Sequence, residues 1–246
     1  MAKMTLEELV VQLESAFADG LRAVVLYGSA AAGEHIPKHS DYNVLVIVRR
    51  LDAERLRALA ATARAWSEAG NPPPLIFTED EWRDSADVFP MEYADMIERH
   101  RLLHGTSPFE GVQVSKGDLR LQLEHQARGK LLALRQGLLA SAGDRKAELQ
   151  LLRSSVSTIM VIFRAVERLR GVTPSRDNVE LSRSVAGAAR VDADVFVRVV
   201  RHIRGEAKLA PADAPAVLDG FLQGMEGIVG ISTGLRPRGS ERNSGG

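Results

Sequence analysis

Leu26-Tyr27-Gly28-Ser29, then eleven intervening residues, then Asp41-Tyr42-Asn43 and the apolar run Val44-Leu45-Val46-Ile47-Val48 form the stretch that decides the fold. Leu21 to Tyr27 is apolar, carries the β-prone Val24, Val25 and Tyr27, and stops at Gly28. It reads as a strand ended by a tight turn. A glycine there lets the backbone pass close to a bound group, and Ser29 with Ala30 to Ala32 reads as a helix start. Helix N-termini present free N–H groups and a partial positive charge, which suit a phosphate. The second apolar run is another strand. Asp41 and Asn43 are two apart, so they point to the same face. A phosphate cradle beside two polar side chains on one face suggests a metal–nucleotide site.

This segment resembles the Gly-Ser … Asp-x-Asp signature of the nucleotidyltransferase superfamily that includes DNA polymerase β. In plan it is similar to the kanamycin and streptomycin (aminoglycoside) nucleotidyltransferases. Gly28, Ser29, Gly33, Pro37, Ser40 and Asp41 match the pattern. The resemblance implies that Gly28, Ser29 and Ser40 contact the phosphates of a nucleotide. It also implies that Asp41 and Asn43 bind Mg²⁺, and that a third carboxylate lies on a neighbouring strand. Two positions depart: the family usually carries Asp where this chain has Asn43, and often Arg where it has Ala32. An amide oxygen can ligate a metal but brings one negative charge fewer, and Mg²⁺ favours carboxylate and phosphate oxygens. The implied activity is Mg²⁺-dependent transfer of a nucleoside monophosphate from an NTP, with ATP preferred, to a hydroxyl acceptor. The alternative is a catalytically impaired nucleotide-binding or regulatory protein that keeps the fold.

The 246 residues suit one large domain or two small ones. Lys+Arg and Asp+Glu both number 32, so no global charge draws the chain to extended nucleic acid or an anionic membrane. The absence of cysteine excludes disulfides, thiolate metal sites and cysteine nucleophiles. Met-Ala-Lys-Met-Thr-Leu-Glu-Glu at the start lacks the apolar core of a signal peptide. No apolar run approaches the roughly 20 residues that span a bilayer. The expectation is a cytoplasmic protein.

Local signals organise the rest. Thr5-Leu6-Glu7-Glu8 is a capping box that opens a helix with Leu6, Leu9, Val10, Leu13 and Phe17 on one side. Asp52 reads as the N-cap of a helix running through Leu56, Leu59, Ala63 and Trp66. Asn71-Pro72-Pro73-Pro74 is a stiff loop, Leu75-Ile76-Phe77 a short buried strand, and Thr78 with Glu81 a second capping box. Met91 to Met96 reads as a sheet strand feeding Ile97 to His104 and stopping at Gly105. On such a strand Glu92 and Asp95, three apart, cannot share a face. Glu92, at its start, is the preferred third metal ligand or general base.

After Gly111 no β-like alternation appears. Leu119, Leu123, Ala127, Leu131, Leu134 and Leu138 form an apolar stripe at helical spacing, and Ala147 to Arg170 repeats the pattern. Shorter helices are expected over Asn178 to Arg190, Asp192 to Arg204 and Pro211 to about Ile228. The fold class is therefore α+β, with a nucleotidyltransferase-type mixed β-sheet and flanking helices over 1–112. An antiparallel helix bundle follows over 113–230, and 231–246 reads as a disordered tail. An α/β domain before a bundle is also the plan of the aminoglycoside nucleotidyltransferases. By that likeness the acceptor, a small molecule or a protein hydroxyl, lies between the sheet's carboxylate edge and the bundle. A homodimer is left open.

Other candidates are weaker. His35, Lys38 and His39 lie in the loop before Asp41 and can touch phosphate or substrate. His100 and His104 would be one turn apart on a helix, but a zinc pair needs further ligands. Arg128, Lys130 and Arg135 offer charge for a phosphate or an acidic substrate, although a solvated helix face is the plainer reading.

Overall fold

In the computed structural model, which describes residues 3–31 and 41–234, the chain divides into two compact units, Met1–Val114 and Ser115–Gly246. The first is built on a four-stranded mixed sheet. Its strands are β1 (Leu21–Tyr27), β2 (Asn43–Val48), β3 (Leu75–Thr78) and β4 (His100–Gly105), in spatial order β3-β2-β1-β4. β1 pairs antiparallel with both β2 and β4, and β2 pairs parallel with β3.

The two central strands are buried on both faces, so their side chains feed two cores. Val24, Leu26, Val44, Val46 and Val48 pack against Leu6, Leu9, Leu13 and Phe17 of helix α1 (Leu6–Phe17). Trp66 joins them from α3 (Ala60–Glu68), which follows the short α2 (Ala53–Ala58) after a break at Leu59. Ala23, Val25, Leu45 and Ile47 face the other way. They meet Trp82 of α4 (Glu79–Asp84) and Tyr93 and Met96 of α5 (Pro90–Glu98). Both capping boxes close as expected: Thr5 with Glu8, and Thr78 with Glu81. Trp82 is fixed by its indole N–H, which donates to the Pro108 carbonyl at 2.8 Å. Its own carbonyl accepts from the Tyr93 hydroxyl at 2.6 Å.

Three local expectations are corrected. Residues 91–96 are not a strand: they lie in α5, and the strand is His100–Gly105. Pro90 occupies the first turn, where its missing N–H is harmless, and Met91, Tyr93, Ala94 and Met96 are buried along one broad side. The strand that follows is, among the described residues, an edge strand paired to β1, and its half-exposed side chains carry little apolar signal. β3, also at an edge, is half-exposed rather than buried. The helix through Trp66 is interrupted, giving α2 and α3.

The second unit contains α6 (Lys116–Ser141), α7 (Arg145–Leu169), α8 (Asn178–Ala189), α9 (Asp194–Ile203) and α10 (Ala214–Gly234). Leu119, Leu123, Ala127, Leu131 and Leu134 of α6 are buried, as the spacing requires. α7 packs against each of the other four. Among the described residues it is also the one helix long and apolar enough to cross a membrane, although 56% of its apolar window is buried inside the protein. Glycines let α10 approach closely: a Cβ at Gly220 would come within 2.6 Å of Val195, and one at Gly224 within 2.6 Å of Phe196. α10 continues to Gly234, and residues 235–246 lie outside the described residues.

Candidate functional site

The register of the central strands assembles the site. Tyr27, the last residue of β1, is paired with Asn43, the first of β2, and with His100, the first of β4. Residues directly opposite one another share a face. Tyr27 continues the face of Ala23 and Val25, so this rung lies at the end of the second core, under α4 and α5. Asp41 precedes Asn43 by two and is exposed.

Glu92 reaches this rung from an unexpected direction. It sits in the first turn of α5, where a carboxylate is favoured by the helix dipole. The phenol of Tyr27 is raised above the usual tyrosine value, first by burial, then by the negative charge of Glu92, then by that of Asp41. One hydroxyl thus feels both carboxylates. Asp95 lies one turn further along α5, and its charge does not figure in the shift. The two acids are i and i+3 on a helix, so the rule that kept them on opposite faces of a strand does not apply.

Gly28 closes the rung. Its φ of +80° is in the region that favours glycine, and its N–H donates to the Arg99 carbonyl at 3.0 Å. Among the described residues, a Cβ there would meet the Asn43 side-chain amide nitrogen, at 3.6 Å. Ser29 to Ala31 continue as a turn. Ser40 lies outside the described residues, as do Gly33, His35, Pro37, Lys38 and His39 and the remainder of the expected helix start.

The donor set bears on Mg²⁺. Among the described residues no group of three or more His, Asp or Glu is arranged to hold a metal ion. Two carboxylates and one neutral amide instead suit an ion that brings phosphate oxygens and water with it, which is how Mg²⁺ is usually bound.

The remaining candidates have other partners. The His100 ring packs on Phe109 with centroids 4.3 Å apart, and its Nδ1 lies 2.9 Å from the Met96 carbonyl. His104 Nδ1 is 2.6 Å from Glu14 of α1. The two histidines are therefore on a strand and engaged separately. Arg128 is paired with Glu124, and Arg135 with Glu226 of α10 at 2.7 Å. Burial lowers the pKa of Lys130. The sequence offered His100 only as a helical partner of His104, and gave Tyr27 and the Arg99 carbonyl no site role, because strand register places all three. The flank of the Gly-Ser turn was the available pointer to Tyr27.

The four-stranded mixed sheet with flanking helices, followed by the helical second unit, is an α+β fold consistent with a nucleotidyltransferase-like one. Among solved structures, the chain is similar to spectinomycin adenyltransferase AAD(9) from Enterococcus faecialis, determined with ATP and spectinomycin. The TM-score is 0.55 over 90% of this chain and 100% of that one, at 10% sequence identity, a likeness of fold. No protein-family model matches the chain, and no curated protein matches it by sequence.

Proposed function

We propose that this protein is a nucleotidyltransferase that moves a nucleoside monophosphate from an NTP to a hydroxyl acceptor. The observation that carries the reading is the Tyr27–Asn43 pair at the Gly28 turn, where burial, then the charge of Glu92, then that of Asp41 raise the Tyr27 phenol. In this reading the backbone at Gly28, with Ser29 and Ser40, receives the phosphates. Asp41, Asn43 and Glu92 hold Mg²⁺, whose contribution when bound is to offset charge on the phosphates during in-line displacement. Alternatively Glu92 would leave the ion to Asp41, Asn43 and the phosphates and serve as the base for the acceptor hydroxyl. ATP is the preferred nucleotide, and a small hydroxylated molecule the preferred acceptor, because AAD(9) was determined with ATP and spectinomycin. A protein hydroxyl is the other acceptor class.

Pyrophosphate release from ATP with Mg²⁺, measured across a panel of hydroxylated acceptors, tests this. Turnover that disappears in Asp41→Ala supports the reading, and no turnover with any acceptor or NTP refutes it. Asn43 favours a second reading, a nucleotide-binding protein of impaired chemistry. In that case the wild type binds ATP without turnover, and Asn43→Asp creates it.

A further inference from the structure

Asp41 stands just outside β2, and its direction is set by what holds Tyr42, the residue between it and Asn43. The Tyr42 N–H donates to the Asn71 side-chain oxygen at 2.9 Å, across 29 residues of sequence. β2 and β3 begin to pair only at Leu45 and Leu75, so no β3 residue meets Tyr42 in the ladder. The Tyr42 ring stacks on Trp66, with centroids 6.2 Å apart and planes 29° apart, and Trp66 is fully buried. Asn71 is tied to the same tryptophan, because its own N–H donates to the Trp66 carbonyl at 3.3 Å. It also heads Asn71-Pro72-Pro73-Pro74, where the ring of Pro72 restricts Asn71 itself and three fixed φ angles stiffen the stem into β3.

We infer that Asn71 is a positioning residue for the nucleotide site, holding the Tyr42 peptide so that Asp41 and Asn43 project together from one face of the chain. This rests on the reading of Asp41 and Asn43 as nucleotide-site residues. Along extended chain, neighbours alternate in direction. Tyr42 is turned toward α3 and the first core, so fixing its ring and its peptide fixes both flanking side chains on the opposite face. Asn71 touches neither nucleotide nor metal in this account and acts only through Tyr42.

The test uses the full chain as wild type, Asn71→Ala and Asn71→Asp, since aspartate keeps an acceptor oxygen at the same place. Hydrogen exchange at the Tyr42 amide, without nucleotide, reads the clamp. Calorimetric titration with ATP and Mg²⁺ reads the site. Asn71→Ala should speed exchange at Tyr42 about fivefold, the value of one net hydrogen bond. It should also weaken binding of ATP with Mg²⁺ about tenfold, and Asn71→Asp should restore both. Unchanged exchange in Asn71→Ala overturns the clamp. Faster exchange with unchanged ATP binding overturns the positioning role and leaves the nucleotide-site reading standing. Failure of Asn71→Asp to recover either property also overturns it, since the acceptor oxygen is then not what matters. A wild type that shows the clamp yet binds no nucleotide overturns the site reading, and the inference falls with it.

Discussion

Replacing Gly28 with alanine should separate nucleotide binding from folding. At φ +80° an alanine adopts a left-handed conformation that costs about 1–2 kcal/mol, and the reduced freedom of its unfolded chain offsets part of that, leaving a loss near 1 kcal/mol. Among the described residues the new methyl meets the Asn43 amide nitrogen at an ordinary 3.6 Å, so none of them adds a clash. That methyl stands beside Asn43, where in the proposed reading phosphate approaches the backbone. Binding of ATP should therefore fall more than tenfold, or about 1.4 kcal/mol or more. Gly105→Ala is the counterpart. Its φ is +78°, and a Cβ would lie 1.9 Å from the Arg22 carbonyl oxygen, so β4 must separate from β1. The sum of strain and overpacking is about 3 kcal/mol or more. Urea unfolding followed by tryptophan fluorescence measures both variants. Trp66 and Trp82, the chain's two tryptophans, lie in the first unit, so the signal reports on that unit. Unaltered ATP affinity in Gly28→Ala, or a destabilisation equal to that of Gly105→Ala, would refute the reasoning.

Glu92→Gln should lower the Tyr27 pKa by removing a neighbouring negative charge, and Asp41→Asn should lower it less; ring NMR of Tyr27 across alkaline pH measures the order. Tyr93→Phe removes the 2.6 Å hydrogen bond to the buried Trp82 carbonyl and should cost about 1–3 kcal/mol in the same urea experiment. In Asp177, burial raises the pKa, but the hydrogen bond from Arg204 and those from the Glu180 and Val179 backbone outweigh it, and the net direction is down. A depressed carboxylate stabilises the fold above its unfolded pKa, near 4, and loses that contribution as pH falls through its folded value. The melting-temperature gap between wild type and Asp177→Asn, which keeps a capping oxygen on α8, should therefore narrow as pH falls from neutral into that range. Asn43→Asp, by restoring a negative charge beside Asp41, should tighten Mg²⁺-dependent ATP binding, measured by titration at fixed nucleotide.

The β1–turn–β2 unit was legible because each step is local: an apolar run, a glycine that adopts φ +80°, and a polar start to the next run. The capping boxes at Thr5 and Thr78 and the stripes of α6 and α7 are local in the same sense. α5 and β4 were misread because distant partners decide them. The short apolar run from Met91 to Met96 does not by itself tell strand from helix, and His100–Gly105 is a strand because β1 offers it an edge. For the candidate site, the sequence paired Asp41 with Asn43 on one face and offered Glu92 separately, as a strand residue. That the charges of Asp41 and Glu92 reach one hydroxyl follows from strand register and from the path of α5. The contact between Asn71 and Tyr42 crosses 29 residues and left no local pattern beyond an asparagine before three prolines.

The most direct measurement is calorimetric titration of ATP into the wild type and Asp41→Ala, each with Mg²⁺ and with EDTA. The account predicts binding that requires both the ion and Asp41. Absence of binding under every condition, or binding indifferent to both, would contradict it.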